Sequence, residues 1–113
     1  MVNKEPKTEK AQGIAGGEGF GAIKMLVDSC DLYNKAGLLA EVMLEPGSSV
    51  GYHKHEGEGE MYYILTGEGD YTEDGVTTRV SEGMVTCVYD GHSHGLKNTG
   101  SVPMTFVAVI VKE

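Results

Sequence analysis

Cysteine, proline and long apolar runs are all scarce in this chain. Of 113 residues, two are cysteine and three are proline. Cys30 and Cys87 form no C-x-x-C pair, so neither a disulfide framework nor a cysteine zinc site is indicated. No run of 18 apolar residues is available to span a membrane. The opening MVNKEPKTEK lacks the apolar segment of a secretory signal, which makes a soluble cytoplasmic protein the expectation. Positive charge is also in deficit. A net charge of −8 argues against a nucleic-acid groove and against a basic membrane patch. The single arginine, Arg79, reads as a surface residue of a hairpin. No stretch supports an amphipathic helix of three turns.

What is abundant is glycine, 17 residues of it, which points to many turns. The charged segment 1–12 is expected to be a disordered or loosely attached leader, and 13–113 a single domain. Gly17, Gly19 and Ala22 loosely fit G-x-G-x-x-A. The residues before them are polar and charged, so the required preceding strand is missing and a dinucleotide site is rejected. Strands are expected at about 22–27, 38–44, 60–65, 84–89 and 104–111. The last, MTFVAVIV, is the most apolar and is placed at the centre of the core. Glu73-Asp74-Gly75 supplies a hairpin turn between GDYT and VTTRV. VDSCDLYNKAG is read as a single helical turn or a loop. Short strands with a turn signal every 8–12 residues define an all-β sandwich or barrel.

The four histidines fall in two patches, His53 and His55 in GYHKHEGEGE and His92 and His94 in YDGHSHGLKN. In a strand, residues i and i+2 share a face, so His53 and His55 can both point inward with Lys54 outward. The EGEG segment reverses the chain, and Glu60 opens the next strand facing the same point. Neutral imidazoles with one carboxylate suit Mn, Fe, Co, Ni, Cu or Zn. Glu56 and Glu58 read as solvated loop charges and Cys87 as a buried thiol. Tyr52, Tyr62, Tyr63 and Tyr71 surround the patch, and alternation should send some of them inward. No general base can be assigned with any of them.

The stretch from Gly47 to Gly67 fits the first cupin motif, G-x5-H-x-H-x4-E-x6-G, at Gly47, His53, His55, Glu60 and Gly67. The second motif, G-x5-P-x-G-x2-H-x3-N, is met at Gly83, Gly91, His94 and Asn98, with Tyr89 in place of the proline. The chain therefore resembles the small single-domain cupins over residues 38–111. That resemblance implies a double-stranded β-helix, a jelly-roll barrel like that of RmlC-like cupins, and a homodimer. It also implies one divalent transition metal ion held by His53, His55, Glu60 and His94, with His92 left as a lining or loop residue. The first reading is a metal-dependent enzyme acting on a small organic molecule, of dioxygenase, isomerase or lyase type. The alternative is a non-catalytic metal or small-ligand binding or sensor module.

Overall fold

The computed structural model describes residues 1–28 and 31–113. Ser29 and Cys30, inside the segment expected to be a helical turn or loop, lie outside them. Ten strands make up the fold: β1 (Thr8–Gln12), β2 (Phe20–Met25), β3 (Ala36–Leu44), β4 (Ser49–Lys54), β5 (Glu58–Thr66), β6 (Glu68–Glu73), β7 (Val76–Ser81), β8 (Val85–Val88), β9 (Ser93–Asn98) and β10 (Met104–Lys112). Two short 3-10 turns, Ile14–Gly16 and Leu32–Asn34, complete the order. Among the described residues no helix is long and apolar enough to cross a membrane.

The strands form two antiparallel sheets, ordered β1-β2-β3-β10-β5-β8 and β4-β9-β6-β7. Between them sits one core, which draws Ala40, Val42, Ile64 and Phe106 from the first sheet and Val50, Tyr71, Val80 and Leu96 from the second. This is the expected jelly-roll barrel. Strand β10 lies between β3 and β5, and Met104, Phe106 and Ala108 alternate into the core. Each large apolar side chain buried this way contributes about 1.5–3 kcal/mol. Phe106→Ala would therefore cost about 3–5 kcal/mol once its cavity is included.

Turns fix the register. Asp74 (φ 47) and Gly75 (φ 83) make the two-residue connection between β6 and β7, the geometry that matches strand twist. Asn98 joins two turns at one end of the barrel. Its side-chain amide donates to the carbonyls of Leu44 and Val102, and its side-chain oxygen accepts from the Gly100 N–H.

Two expectations are corrected. Residues 8–12 of the supposed leader form β1, which pairs antiparallel with β2 from Thr8↔Lys24 to Gln12↔Phe20. Their side chains are mostly exposed; backbone hydrogen bonding to a sheet edge holds the segment, and polar composition does not register that. Cys87 is exposed, not buried. On β8 the inward positions are Thr86 and Val88, so Val85 and Cys87 face out. That strand is apolar on both faces, and composition alone does not choose between them.

Candidate metal centre

The site depends on a local fault in β4. Val50 pairs with Leu96 and His53 with His94, so three steps on β4 match two on β9. The extra residue reverses the alternation. Val50 points inward, Tyr52 is exposed, and His53 and His55 then turn inward. The backbone beyond β4 is held by bonds from the His55 N–H to the His92 carbonyl (3.0 Å) and from the Gly91 N–H to the His55 carbonyl (2.8 Å). Glu60 is carried on β5 with Tyr62 and Ile64 on the same inward face, and His94 on β9. The turn before His94 closes without the motif's proline. The His92 N–H bonds the Tyr89 carbonyl at 3.1 Å, and Gly91 takes φ 85.

One donor atom from each of His53, His55, Glu60 and His94 lies within 4.8 Å of all the others. His55, Glu60 and His94 are buried and His53 half-buried. Each imidazole is fixed by its other nitrogen. His53 Nδ1 donates to the Gly51 carbonyl at 2.6 Å. His55 Nδ1 donates to the Glu58 carboxylate at 2.9 Å. His94 Nδ1 donates to the Tyr71 hydroxyl at 3.0 Å, and that hydroxyl donates to Glu73 at 2.9 Å. These partners assign the proton of each neutral ring to Nδ1 and leave three bare Nε2 lone pairs facing inward. Burial, then the hydrogen bond to Glu73, raises the pKa of the Tyr71 hydroxyl. Burial, then the nearby Glu60 carboxylate, pushes the Tyr62 hydroxyl well above its usual range. Both tyrosines therefore stay protonated at neutral pH. The Tyr62 ring also stacks on His94, with centroids 5.0 Å apart.

The inward donors are crowded. His53 and His55 Nε2 are 3.0 Å apart, His55 and His94 Nε2 3.0 Å, His94 Nε2 and Glu60 Oε1 3.0 Å, and His55 Nε2 and Glu60 Oε1 3.2 Å. With every Nδ1 already donating, a hydrogen bond between two Nε2 atoms would require a doubly protonated ring. Three buried acceptors and a half-buried one, turned on one another, are costly unless a cation lies among them. Donors at about 2.1 Å from an ion are separated by about 3.0 Å when adjacent in an octahedron, about 3.4 Å in a tetrahedron and about 4.2 Å when opposite. The observed spacings match the adjacent octahedral value, so the residues fit the ion.

The three imidazole rings lie with centroids 4.7 to 4.9 Å apart, and the Glu60 carboxylate stands 3.2 Å from His55 and 3.0 Å from His94. A six-coordinate ion held by these four donors would keep two positions for water or a ligand. Of the four, His53 and Glu60 line a half-open cavity of about 160 Å³. Its other walls are apolar, including Ile14, Leu38, Val42 and Phe106; Tyr62 is the only further titratable side chain among the described residues lining it.

The four residues read from the motifs thus come together. His92 does not join them. It is exposed and pairs through Nδ1 with Asp74, whose other carboxylate oxygen accepts from the Ser93 N–H. That hydrogen bond raises the pKa of His92, while the Ser93 N–H and then His92 lower that of Asp74. Arg79 lies on the surface beside Glu68 and Asp70, as expected. Tyr62 and Tyr71 point inward, Tyr52 and Tyr63 outward. Glu58, read as a solvated loop charge, opens β5 and holds His55. Its signal was available, since 58, 60, 62 and 64 share one strand face. Glu73 escaped notice, although it stands two residues from Tyr71 on β6.

Residues 40–110 match the family described as Cupin domain, and this chain belongs to it. It is 41% identical over 109 residues to the oxalate-binding protein of Thermotoga maritima, covering 96% of this chain and 90% of that protein. The crystal structure of a predicted oxalate decarboxylase from Thermotoga maritima matches with a TM-score of 0.95 at 40% identity, covering 100% of both chains. An RmlC-like cupin from Shewanella frigidimarina matches with a TM-score of 0.76 at 14% identity, over 100% of this chain and 89% of that one, a likeness of fold alone.

Proposed function

We propose that this cupin holds one divalent transition metal ion (Mn, Fe, Co, Ni, Cu or Zn) through His53, His55, Glu60 and His94. On that ion it binds a small dicarboxylate of the oxalate class. The observation that carries the reading is the small cavity onto which two of the four donors, His53 and Glu60, open. A six-coordinate ion held by the four would have two positions to spare, and a ligand with two oxygens one C–C bond apart could fill both. At about 160 Å³ the cavity is well below the roughly 300 Å³ at which drug-sized pockets begin, so it suits a two-carbon acid better than a sugar phosphate. No lysine or arginine lines it among the described residues, so the ion's charge must hold the anion. The name of the Thermotoga relative supports the same ligand class.

Between the two functions open from the sequence, the geometry favours binding. His53 and Glu60 are committed to the ion, and no further carboxylate, histidine or lysine lines the cavity among the described residues, so no second base of those types stands beside the ligand. The ion itself would supply Lewis-acid polarisation of a ligand oxygen. The test is calorimetric titration with oxalate of protein loaded with each metal and of chelator-stripped protein. Binding to a loaded form only is expected. Equal binding to stripped protein would refute the metal-held anion, and no binding to any loaded form would refute the ligand class.

The proposed homodimer has a specific face. On the outside of the six-stranded sheet, Val107 lies beside Tyr63, Val109 beside Met61, Met61 beside Cys87 and Tyr63 beside Val85. A groove of about 560 Å³ lined by Met61, Cys87 and Val109 opens at one end of this stripe, bordered by Glu58, Asp90, Lys112 and Glu113. The corresponding face of the other sheet carries Asp70, Arg79, Lys97, Thr72 and Thr77. Two copies of a chain with charge −8 repel, so they meet at least cost on the apolar stripe of β5, β8 and β10, beside Glu41 and Lys24 on the same sheet.

A further inference from the structure

Most of the wall around the cavity is barrel. Ile23, Leu38, Val42, Phe106 and Ala108 come from β2, β3 and β10, whose side chains interlock in or against the core. The exception is the roof. Ile14 and Ala15 belong to the 3-10 turn before β2 and are, among the described residues, the only lining residues outside the strands. None of the residues of that turn is fully buried.

The roof is held at a fixed height by backbone contact. A Cβ on Gly51 would stand 2.2 Å from the Ala15 carbonyl oxygen, and a Cβ on Gly17 would stand 2.1 Å from that of Ser49. With no side chain at either position, the turn lies directly against β4. The Ser49 N–H donates to the Glu18 carbonyl, and the Ser49 hydroxyl accepts from the Glu18 N–H, both at 2.9 Å. The Ser48 hydroxyl accepts from the Phe20 N–H at 2.9 Å. The carbonyl of Gly51 also fixes the His53 ring. The turn and the His53 end of the donor group are therefore built on the same backbone, and Ile14 is set at a defined distance across the cavity from His53 and Glu60.

We propose that Ile14 is the residue that sets the size of ligand this site accepts. This rests on the reading above, that a chelating acid occupies the cavity beside the ion. The chelating end of such an acid is fixed at the His53–Glu60 side, so any added carbon must be accommodated against the remaining walls. Of these, the strand-borne walls form the barrel, whereas Ile14 packs against the core from a turn outside the strands. Replacing Ile14 by alanine would free roughly 80 Å³, about half the present cavity, without removing a strand residue.

The test keeps the chelating end constant and varies the bulk behind it. Glyoxylate, pyruvate and 2-oxo-3-methylbutanoate present one carboxylate and one adjacent oxygen, as oxalate does, with increasing apolar substituents. Their affinities are measured by calorimetry on the metal-loaded wild type, Ile14→Ala and the milder Ile14→Val, with metal content determined for each. The wild type is expected to favour glyoxylate over 2-oxo-3-methylbutanoate by about a hundredfold. In Ile14→Ala that preference should fall by about tenfold or more, with Ile14→Val in between. An unchanged preference in a variant that retains its metal would overturn the role of Ile14 and leave the ligand class standing. Loss of binding of oxalate and of every oxo acid by the loaded wild type would overturn the parent reading, and the role of Ile14 with it.

Discussion

Tyr71→Phe removes one oxygen from the core and leaves the ring in place. In the wild type that oxygen accepts a hydrogen bond from His94 Nδ1 at 3.0 Å and donates one to Glu73 at 2.9 Å. His94 is fully buried, so the orphaned Nδ1–H has no water to turn to. Leaving such a donor unpaired costs about 1–3 kcal/mol. The ring has an alternative. Its proton can move to Nε2, which stands 3.0 Å from Glu60 Oε1. That tautomer satisfies the metal-free protein but blocks the lone pair the ion needs. The metal-free form should therefore lose less stability than the metal-loaded form, and metal affinity should fall about 10- to 100-fold. The assay is competition against a chromophoric chelator, with thermal unfolding of both forms run alongside. A metal affinity within twofold of wild type, accompanied by a clear drop in the Tm of the metal-free form, would refute the positioning role and make Tyr71 a packing residue only.

Other outcomes are expected. His92→Ala should leave metal content nearly unchanged, and a loss comparable to that of His94→Ala would show that the wrong histidine of the second patch had been placed in the site. By NMR titration, His92 should have a pKa above 6.5 that returns toward it in Asp74→Asn. The sign follows from the pair. The raised His92 pKa stabilises the fold at low pH, an effect lost as pH rises through it. The lowered Asp74 pKa stabilises at higher pH, an effect lost as pH falls through it. Together they act between the two values, and an unshifted His92 would contradict the contact. Sedimentation should show a dimer that Tyr63→Glu dissociates, since the charge would fall in the apolar stripe of the outer face; a dimer unaffected by it would place the interface elsewhere.

Much of the fold was legible because its cues are local. Apolar strands at regular spacing, Asp74-Gly75 between β6 and β7, and the central position of MTFVAVIV all follow from short-range preferences. The donor group was legible for a different reason: its four residues stand at motif spacing. The route by which His53 and His55 reach the same point was only half readable. Strand alternation puts them on one face, but it would have put Val50 on the opposite face from them, and the β4 irregularity beside Gly51 removes that conflict. A bulge depends on pairing with β9, some forty residues away, and leaves no local mark. The same limit hid Tyr71-Glu73 behind His94 and the roof at Ile14, since both act across the barrel. Glu58 and Cys87 were misread on single-residue habits of acids and thiols, where strand parity decides.

The central claim is that four side chains from three strands and the turn after β4 converge on one ion. Inductively coupled plasma mass spectrometry tests it directly on protein purified without chelator or a histidine tag, beside the His53→Ala, His55→Ala double variant. About one transition metal ion per chain in the wild type, lost in the variant, is the predicted result. No metal in the wild type even after incubation with each ion, or metal retained in full by the variant, would contradict it.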